Sequence, residues 1–310
     1  MVIELVGWLV VAIMGALALT QSVGWSGLRP VAVVQSLTPY VLAPAAPIAV
    51  AAAITGRAAL AATAAAITIA LVVLAWPLLV RADEPAAVDG AQGVRVGHAN
   101  LLYLNRRLDE LPDVLAQLDA DVLTFSEYTP QAAAVLAAAG WAEQYPHRVE
   151  RPHAGSAGTA LWSRMPVQEL EPPRTEFETV AVVLDLGRPV QIIVIHPPPP
   201  HLHGAWADEL AVWAVAARSW STPTVLVGDL NASWWHPQMR RLIGAGLRDA
   251  HQVHGRGFST SWPTDRGPLP PFVRLDHALV NDGLVVAGVV DVDVPGSDHR
   301  GLVVSVLPAR

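Results

Sequence analysis

Three long uncharged stretches dominate the first eighty residues; beyond residue 93 the chain turns to short apolar segments that end in polar side chains. The stretches are residues 3–20, 31–55 and 58–80, and Glu4 is the only charged side chain within them. Each reaches the roughly 18–25 residues that cross a hydrocarbon core of about 30 Å, so three transmembrane helices are expected. A cleaved signal peptide fits the first stretch poorly, because no basic segment precedes it and two further apolar stretches follow. In the second, Pro39, Pro44 and Pro47 interrupt a regular helix, and a kinked or re-entrant course is expected. Trp25, Tyr40 and Trp76 sit near the ends of stretches, where interfacial aromatic rings are common.

A short linker at 82–93, with Pro85, Gly90 and Gly93, separates this region from a domain expected over residues 94–310. Residues 94–100 alternate as a strand and end on Asn100, residues 121–127 form a strand that ends on Glu127, and residues 158–164 form a third. Leu108, Leu111, Leu115 and Leu118 recur at helical spacing, and residues 130–139, 204–220 and 237–245 read as further helices. Residues 180–186 and 190–196 predict a hairpin turning at Gly187; four prolines follow His196 and end the pairing there. Residues 223–231, 273–280, 284–294 and 302–307 complete the predicted strands. Several are apolar on both faces, as in sheets covered by helices.

Composition removes some chemistry. The chain has no cysteine, which excludes disulfides, zinc thiolates and a thiol nucleophile. It has no lysine either, so every fixed side-chain cation is arginine. The net charge is −7; Glu4, Arg29, Arg57 and Arg81 give the first 81 residues +2, leaving −9 on the rest. An acidic domain without a basic run argues against tight non-specific nucleic-acid binding. The arginines are spread one per boundary, so they orient the chain weakly; with three crossings and a cytoplasmic N-terminus, the domain is expected to be extracytoplasmic.

The polar side chains that could do chemistry fall at strand ends or just beyond them: Asn100, Glu127, His196, Asp229, Asn231, Asp276, Asp298 and His299. In the stretch 225–231, an apolar strand runs into Gly228-Asp229-Leu230-Asn231, and residues two apart face one side. That places a carboxylate and an amide toward one pocket, although the same four residues also describe an Asx turn. Several carboxylates at one end of a sheet repel one another unless a cation joins them, and hard oxygen ligands favour Mg²⁺ or Mn²⁺ over zinc.

The order of these motifs resembles the endonuclease/exonuclease/phosphatase superfamily. The matching elements are Asn100, Glu127 in Ser-Glu-Tyr, the strand 158–164, His196, Gly228-Asp229-Leu230-Asn231, Trp262-Pro263, Arg274-Leu275-Asp276-His277 and Ser297-Asp298-His299. The resemblance implies an α/β fold, a four-layer α/β/β/α sandwich, here preceded by about three transmembrane helices. It further implies Glu127 as the main metal ligand with Asn100 beside it and Asp298 near the metal. Asp229 and Asn231 would face the scissile phosphate. His299 would sit against it, oriented by Asp276, and His196 would be a second imidazole on the phosphate or leaving-group side. Either His299 or Asp229 would serve as base. Leu102 stands where many members carry a second acidic residue, and Ser126 where Gln usually precedes the metal-binding Glu; both departures favour one metal. His277 reads as structural, and His98, His147, His153, His201, His203, His236, His251 and His254 as surface or loop residues. Trp234 and Trp235 could line a substrate mouth or anchor on a membrane surface.

The expectation is a multi-pass cell-membrane hydrolase that uses Mg²⁺ or Mn²⁺ to cleave a phosphoester, with a lipid-linked phosphate or pyrophosphate preferred. The layout is similar to that of teicoplanin-resistance membrane proteins of actinobacteria. An extracellular nuclease or phosphodiesterase is the alternative within the class, and it would want a basic groove that a charge of −9 does not offer. A catalytically inactive, membrane-tethered binding module is the alternative of another class; six retained site residues speak against it. A transporter finds no ionisable pathway residue beyond Glu4. No protein partner is inferable.

Overall fold

The structure is a computed structural model that describes residues 2–310. Its first part is helical: α1 (Val2–Ser22), α2 (Arg29–Gln35), α3 (Thr38–Leu42), α4 (Ala45–Ile54) and α5 (Ala58–Leu79). The second expected crossing is indeed broken, with α2 meeting the α3–α4 segment at 80°. Two helices, over Glu4–Ser22 and Ala58–Leu79, are long and apolar enough to cross a membrane, and the bent pair makes up to three. Helices α1 and α5 run side by side in parallel. A Cβ added to Gly7 would stand 3.1 Å from Leu60, and one added to Gly15 would stand 3.8 Å from Ile67, so small residues let the two approach. Their outer faces are bare: Leu5, Ile13, Ile69 and Val73 are each more than half exposed, an apolar surface that suits lipid better than water.

The remaining elements are β1 (Val94–Asn100), α6 (Leu111–Leu118), β2 (Val122–Ser126), α7 (Pro130–Ala138), α8 (Trp141–Gln144), β3 (His147–Arg151), β4 (Thr159–Ser163), β5 (Val167–Leu170), β6 (Val180–Asp185) and β7 (Pro189–Val194). They continue with α9 (His203–Ala217), β8 (Thr224–Asp229), α10 (Pro237–Ile243), β9 (Arg248–Asp249), α11 (Ala250–Val253), β10 (Asp276–Val280), β11 (Leu284–Asp293) and β12 (Arg300–Pro308). Two six-stranded sheets form, in the orders β11-β12-β1-β2-β4-β3 and β5-β6-β7-β8-β10-β9.

Hydrophobic patterning explains the layers. Val96, Val122 and Leu161 on one sheet meet Val182, Val194 and Val227 on the other, in the central core. Leu111, Leu115 and Leu118 seal α6 on the outside of the first sheet. Trp206, Leu210, Trp213 and Ala217, one stripe of α9, seal the outside of the second. Each large side chain so buried stabilises by roughly 1.5–3 kcal/mol. This is the expected four-layer sandwich.

Register then gathers the polar strand ends. Strands β1 and β2 are parallel with Asn100 opposite Ser126, so Asn100 and Glu127 leave the sheet together. Strands β7 and β8 are parallel with Val194 opposite Val227, which brings His196 beside Asp229. In the antiparallel pair of β8 and β10, Asp276 lies opposite Asp229. The chain passes very close to itself here: a Cβ on Gly228 would fall 1.9 Å from the Ile195 carbonyl oxygen, so only glycine fits.

The helical region is bonded to the sandwich. Gln21 donates to Trp235 O at 2.8 Å, Trp234 Nε1 to Leu74 O at 2.9 Å, and Gln252 to Pro77 O at 2.7 Å. Tyr40 donates its hydroxyl to Phe272 O at 2.9 Å, and His236 Nε2 faces Ala32 O at 2.9 Å.

Candidate active site

Asp229 is the hub of the strand-end cluster. Its Oδ2 accepts from Asn100 Nδ2 at 3.0 Å and lies 3.6 Å from both His196 Nε2 and His299 Nε2. Its Oδ1 accepts from Asn231 N at 2.8 Å, the Asx turn foreseen in the sequence, now holding the carboxylate in place. The side chain is almost fully buried, 1% exposed as a residue, so its charge acts through little solvent.

Each imidazole is oriented from behind. His299 Nδ1 lies 2.8 Å from Asp276 Oδ2, which aims Nε2 at Asp229. Burial alone would lower the His299 pKa, but the carboxylates of Asp276 and Asp229 outweigh it and raise it to about 10. His299 is thus an imidazolium at neutral pH. Burial works against ionisation of Asp276, and His299 overcomes it, holding that carboxyl below its usual range. His196 donates from Nδ1 to Ser156 O at 3.1 Å, leaving Nε2 to face Asp229 and Asn231.

The second corner is Glu127. It accepts from Tyr103 N at 2.8 Å and from Asn100 Nδ2 at 3.2 Å. Asn100 thereby braces the Glu127 and Asp229 carboxylates against each other, while its Oδ1 accepts from Leu102 N at 2.9 Å. Asp298 accepts from Trp262 Nε1 at 3.0 Å, and its other oxygen lies 3.9 Å from His299 Nε2. Of the four non-glycine residues with positive φ among those described, three are Leu102, Glu127 and Asn231. Such backbone costs of order 1–3 kcal/mol each, and its concentration here marks a site the fold holds under tension.

The structure therefore brings all eight expected residues to one place. Glu127, His196, Asp229, Asn231, Asp298 and His299 line a single cavity of about 550 Å³, with Asn100 and Asp276 supporting them from below. The donors suit a hard divalent cation: three carboxylates converge on the cavity without a lysine or arginine among its lining residues. Atoms of Asp229, Asp276 and His299 also lie within 4.8 Å of one another, a second grouping that could hold an ion. Asp276 is already engaged by His299, which favours the Glu127 side for a metal.

Some neighbours went unforeseen. His98, His236 and His251, expected as surface or loop residues, are buried to within 1%; His236 does lie in a loop, between β8 and α10, while His98 is on β1 and His251 on α11. His98 Nε2 lies 3.9 Å from Asp276 Oδ1, directly beneath the site, and neither atom has a hydrogen-bond partner among the described residues. The available signal was its place two residues before Asn100 on one strand, hence on the same face. His251 meets Asp291 at 3.0 Å, a structural contact. His277 is structural as expected, bonded to Asp249 at 2.6 Å and Ala232 O at 3.0 Å. His201 lines the cavity edge, whereas the side chain of His203 lies outside the described residues. Most unexpected are Val33 and Ser36, from the apolar region, in the wall of the same cavity.

Comparison with known proteins follows the same lines. Residues 94–299 match the Endonuclease/Exonuclease/phosphatase family. No curated protein sequence matches the chain. Among solved structures, that of D. rerio TDP2 complexed with single strand DNA product is similar at a TM-score of 0.58 and 15% identity, covering 69% of this chain and 99% of that one. An endonuclease/exonuclease/phosphatase from Beutenbergia cavernae DSM 12333 is similar at 0.53 and 19%, covering 70% and 72%. A functionally unknown conserved protein from Enterococcus faecalis V583 is similar at 0.56 and 14%, covering 69% and 99%. At these identities the likeness is one of fold.

Proposed function

The chain belongs to the endonuclease/exonuclease/phosphatase family, and on that premise we propose that it is a membrane-anchored, metal-dependent phosphoester hydrolase whose substrate is a lipid-linked phosphate or pyrophosphate. The observation that carries the substrate class is the shared wall: Val33 and Ser36, on and just after α2, border the cavity that holds His196, Asp229, Asn231 and His299. A phosphate on a lipid emerging beside α2 needs no travel to reach those side chains. In this reading residues 1–81 are the membrane region, 82–93 a linker and 94–310 the hydrolase. With three crossings and a cytoplasmic N-terminus, the hydrolase is extracytoplasmic.

Roles follow from charge and proton inventory. A divalent ion, Mg²⁺ or Mn²⁺, held by Glu127 with Asp298 nearby and Asn100 bracing the ligand, would offset phosphate charge and steady the leaving oxygen. His299, already an imidazolium, is a poor base and a good electrostatic partner, so it faces a non-bridging phosphate oxygen through Nε2–H. That leaves Asp229 to take the proton of the attacking water. Asn231 has one amide hydrogen on Pro197 O at 2.9 Å; the other, 3.3 Å from His196 Nε2, is the weaker contact and turns to the phosphate. His196 keeps Nε2 toward the leaving-group side.

A nuclease acting on extracellular DNA remains the rival within the family, and one experiment separates them. Purified full-length protein in detergent is assayed with Mg²⁺ or with EDTA for phosphate release from a polyprenyl pyrophosphate and, in parallel, for nicking of plasmid DNA. Metal-dependent phosphate release that disappears in Asp229→Ala and His299→Ala, without nicking, is the expected result. Nicking without phosphate release would overturn the lipid substrate.

A further inference from the structure

Arg240 and Arg241, at the end of α10, carry positive charge that nothing in the described structure neutralises. Arg240 is bonded only to neutral oxygens: Trp234 O at 3.0 Å, Gln21 Oε1 at 2.9 Å and Gln21 O at 3.4 Å. Arg241 donates to Gly24 O at 2.7 Å. Among the described residues, no carboxylate lies within 4.0 Å of either guanidinium, whereas Arg248, Arg256, Arg274 and Arg300 all have acidic partners. Burial, and then repulsion from Arg241, hold the Arg240 pKa down to about 10.

The surroundings have two chemically different halves that join. One cavity, of about 350 Å³, is lined by both arginines together with Gln21, Ser22, Val23 and Gly24 at the end of α1. A second, of about 410 Å³, shares Gln21, Ser22 and Arg240 with the first and continues between α1 and α5 over Ala18, Ala70, Val73 and Leu74. Charge therefore sits at the ends of the two candidate membrane spans, and an apolar groove runs from it over their last turns, from Ala18 on α1 and from Ala70 on α5. Trp234, bonded to Leu74 O, borders the junction.

We propose that this is a binding site for one anionic phospholipid, with the headgroup phosphate on Arg240 and Arg241 and an acyl chain in the groove between α1 and α5. Charge complementarity selects the occupant: two unpaired guanidiniums call for an anion, and the apolar groove calls for a hydrocarbon chain on it. The site is separate from the catalytic cavity, with which it shares no lining residue. A lipid held there braces α10 against α1 and so steadies the loop from Asp229 to Pro237. The inference rests on the membrane embedding proposed above.

The test uses full-length protein in detergent, titrated with dioleoyl phosphatidylglycerol or dioleoyl phosphatidylcholine and read by native mass spectrometry. The expected result is one phosphatidylglycerol per chain, retained in preference to phosphatidylcholine. Arg241→Gln, at an exposed position, weakens that binding about fivefold, equivalent to ~1 kcal/mol for one interfacial arginine, and Arg240→Gln with Arg241→Gln abolishes the preference. Arg57→Gln, at the opposite end of α5, leaves it unchanged. Equal retention of the two lipids, or phosphatidylglycerol binding that survives the double substitution, would overturn the site. Carbonate extraction of membranes tests embedding independently: protein that stays in the pellet but shows no lipid preference sinks this site alone, whereas protein released to the supernatant sinks the embedding too.

Discussion

His236 Nε2 lies 2.9 Å from Ala32 O, joining the loop after β8 to α2 across 204 residues of sequence. Both residues are fully buried, and Nδ1 accepts from Ser233 N at 2.9 Å, so the neutral ring is satisfied on both nitrogens. Burial holds its pKa down to about 4, against the pull of the Ala32 carbonyl. The unfolded ring takes up a proton near pH 6.5 and the folded one only near 4, so stability from this contact is present above about pH 6.5 and is lost as the pH falls toward 4. His236→Ala should cost about 1–3 kcal/mol at pH 7, the price of an orphaned carbonyl, and should flatten the acid side of the stability profile. Thermal unfolding between pH 4 and 7 measures both.

The opposite sign holds for His299. Its folded pKa, about 10, is above the unfolded value, so its contribution is complete below about pH 6.5 and declines as the pH rises toward 10. Urea unfolding in EDTA from pH 6 to 10 should show wild type losing stability along that range and His299→Gln losing much less. Parallel slopes would remove the Asp276–His299–Asp229 charge arrangement as the cause.

Asp276→Asn keeps the size of the side chain but removes the charge that orients the ring of His299. A fall in kcat of about 10²–10⁴ is expected, in the range of a misplaced acid–base group, with KM changed far less. Steady-state kinetics on the phosphate-release assay reads the two constants separately.

Glu127→Gln should raise the Mg²⁺ concentration for half-maximal activity by at least about tenfold without moving the melting temperature in EDTA. A metal titration of the variant that overlays the wild-type curve would take the metal away from this corner.

Glu209, on α9, is a buried carboxyl that does not line the cavity; its Oε2 accepts from Glu176 N at 3.2 Å. Burial raises its pKa to about 7, and its Oε1 has no partner among the described residues. An acid whose folded pKa exceeds its unfolded one weakens the fold progressively above about pH 4.5, with the full penalty reached beyond 7. Glu209→Gln should therefore stabilise by roughly 2–3 kcal/mol at pH 8 and by almost nothing at pH 4, as differential scanning calorimetry at the two pH values would show.

Much of this arrangement was legible in the chain because period and punctuation agreed. The alternation before Asn100, the helical leucines of α6 and the glycine turn between β6 and β7 each locate an element, and the strand ends then carry the site. Strands β3, β5 and β9 escaped because they are short and edge-like, with exposed or half-exposed positions that leave no period to read. The buried histidines escaped for a different reason: a lone imidazole has no spacing of its own, and its burial is decided by segments far away, such as α2 over His236. The apolar helical region was recognisable by composition, but apolar residues carry no address. Nothing in Val33 or Ser36 could have announced a place beside Asp229.

That address alters what counts as a part in this protein. The 80° turn between α2 and α3 accompanies a piece of the apolar helical region, Val33 and Ser36, in the wall of the hydrolase cavity. An excised domain beginning at residue 94 would lose one wall of its cavity and leave His236 and Arg240 without their bonds to Ala32 and Gln21. The apolar helical region and the sandwich are consequently not independent modules. On the proposed reading, replacing the helical region would change selectivity while preserving the chemistry, and variation in α2 would reshape the cavity without touching a catalytic residue.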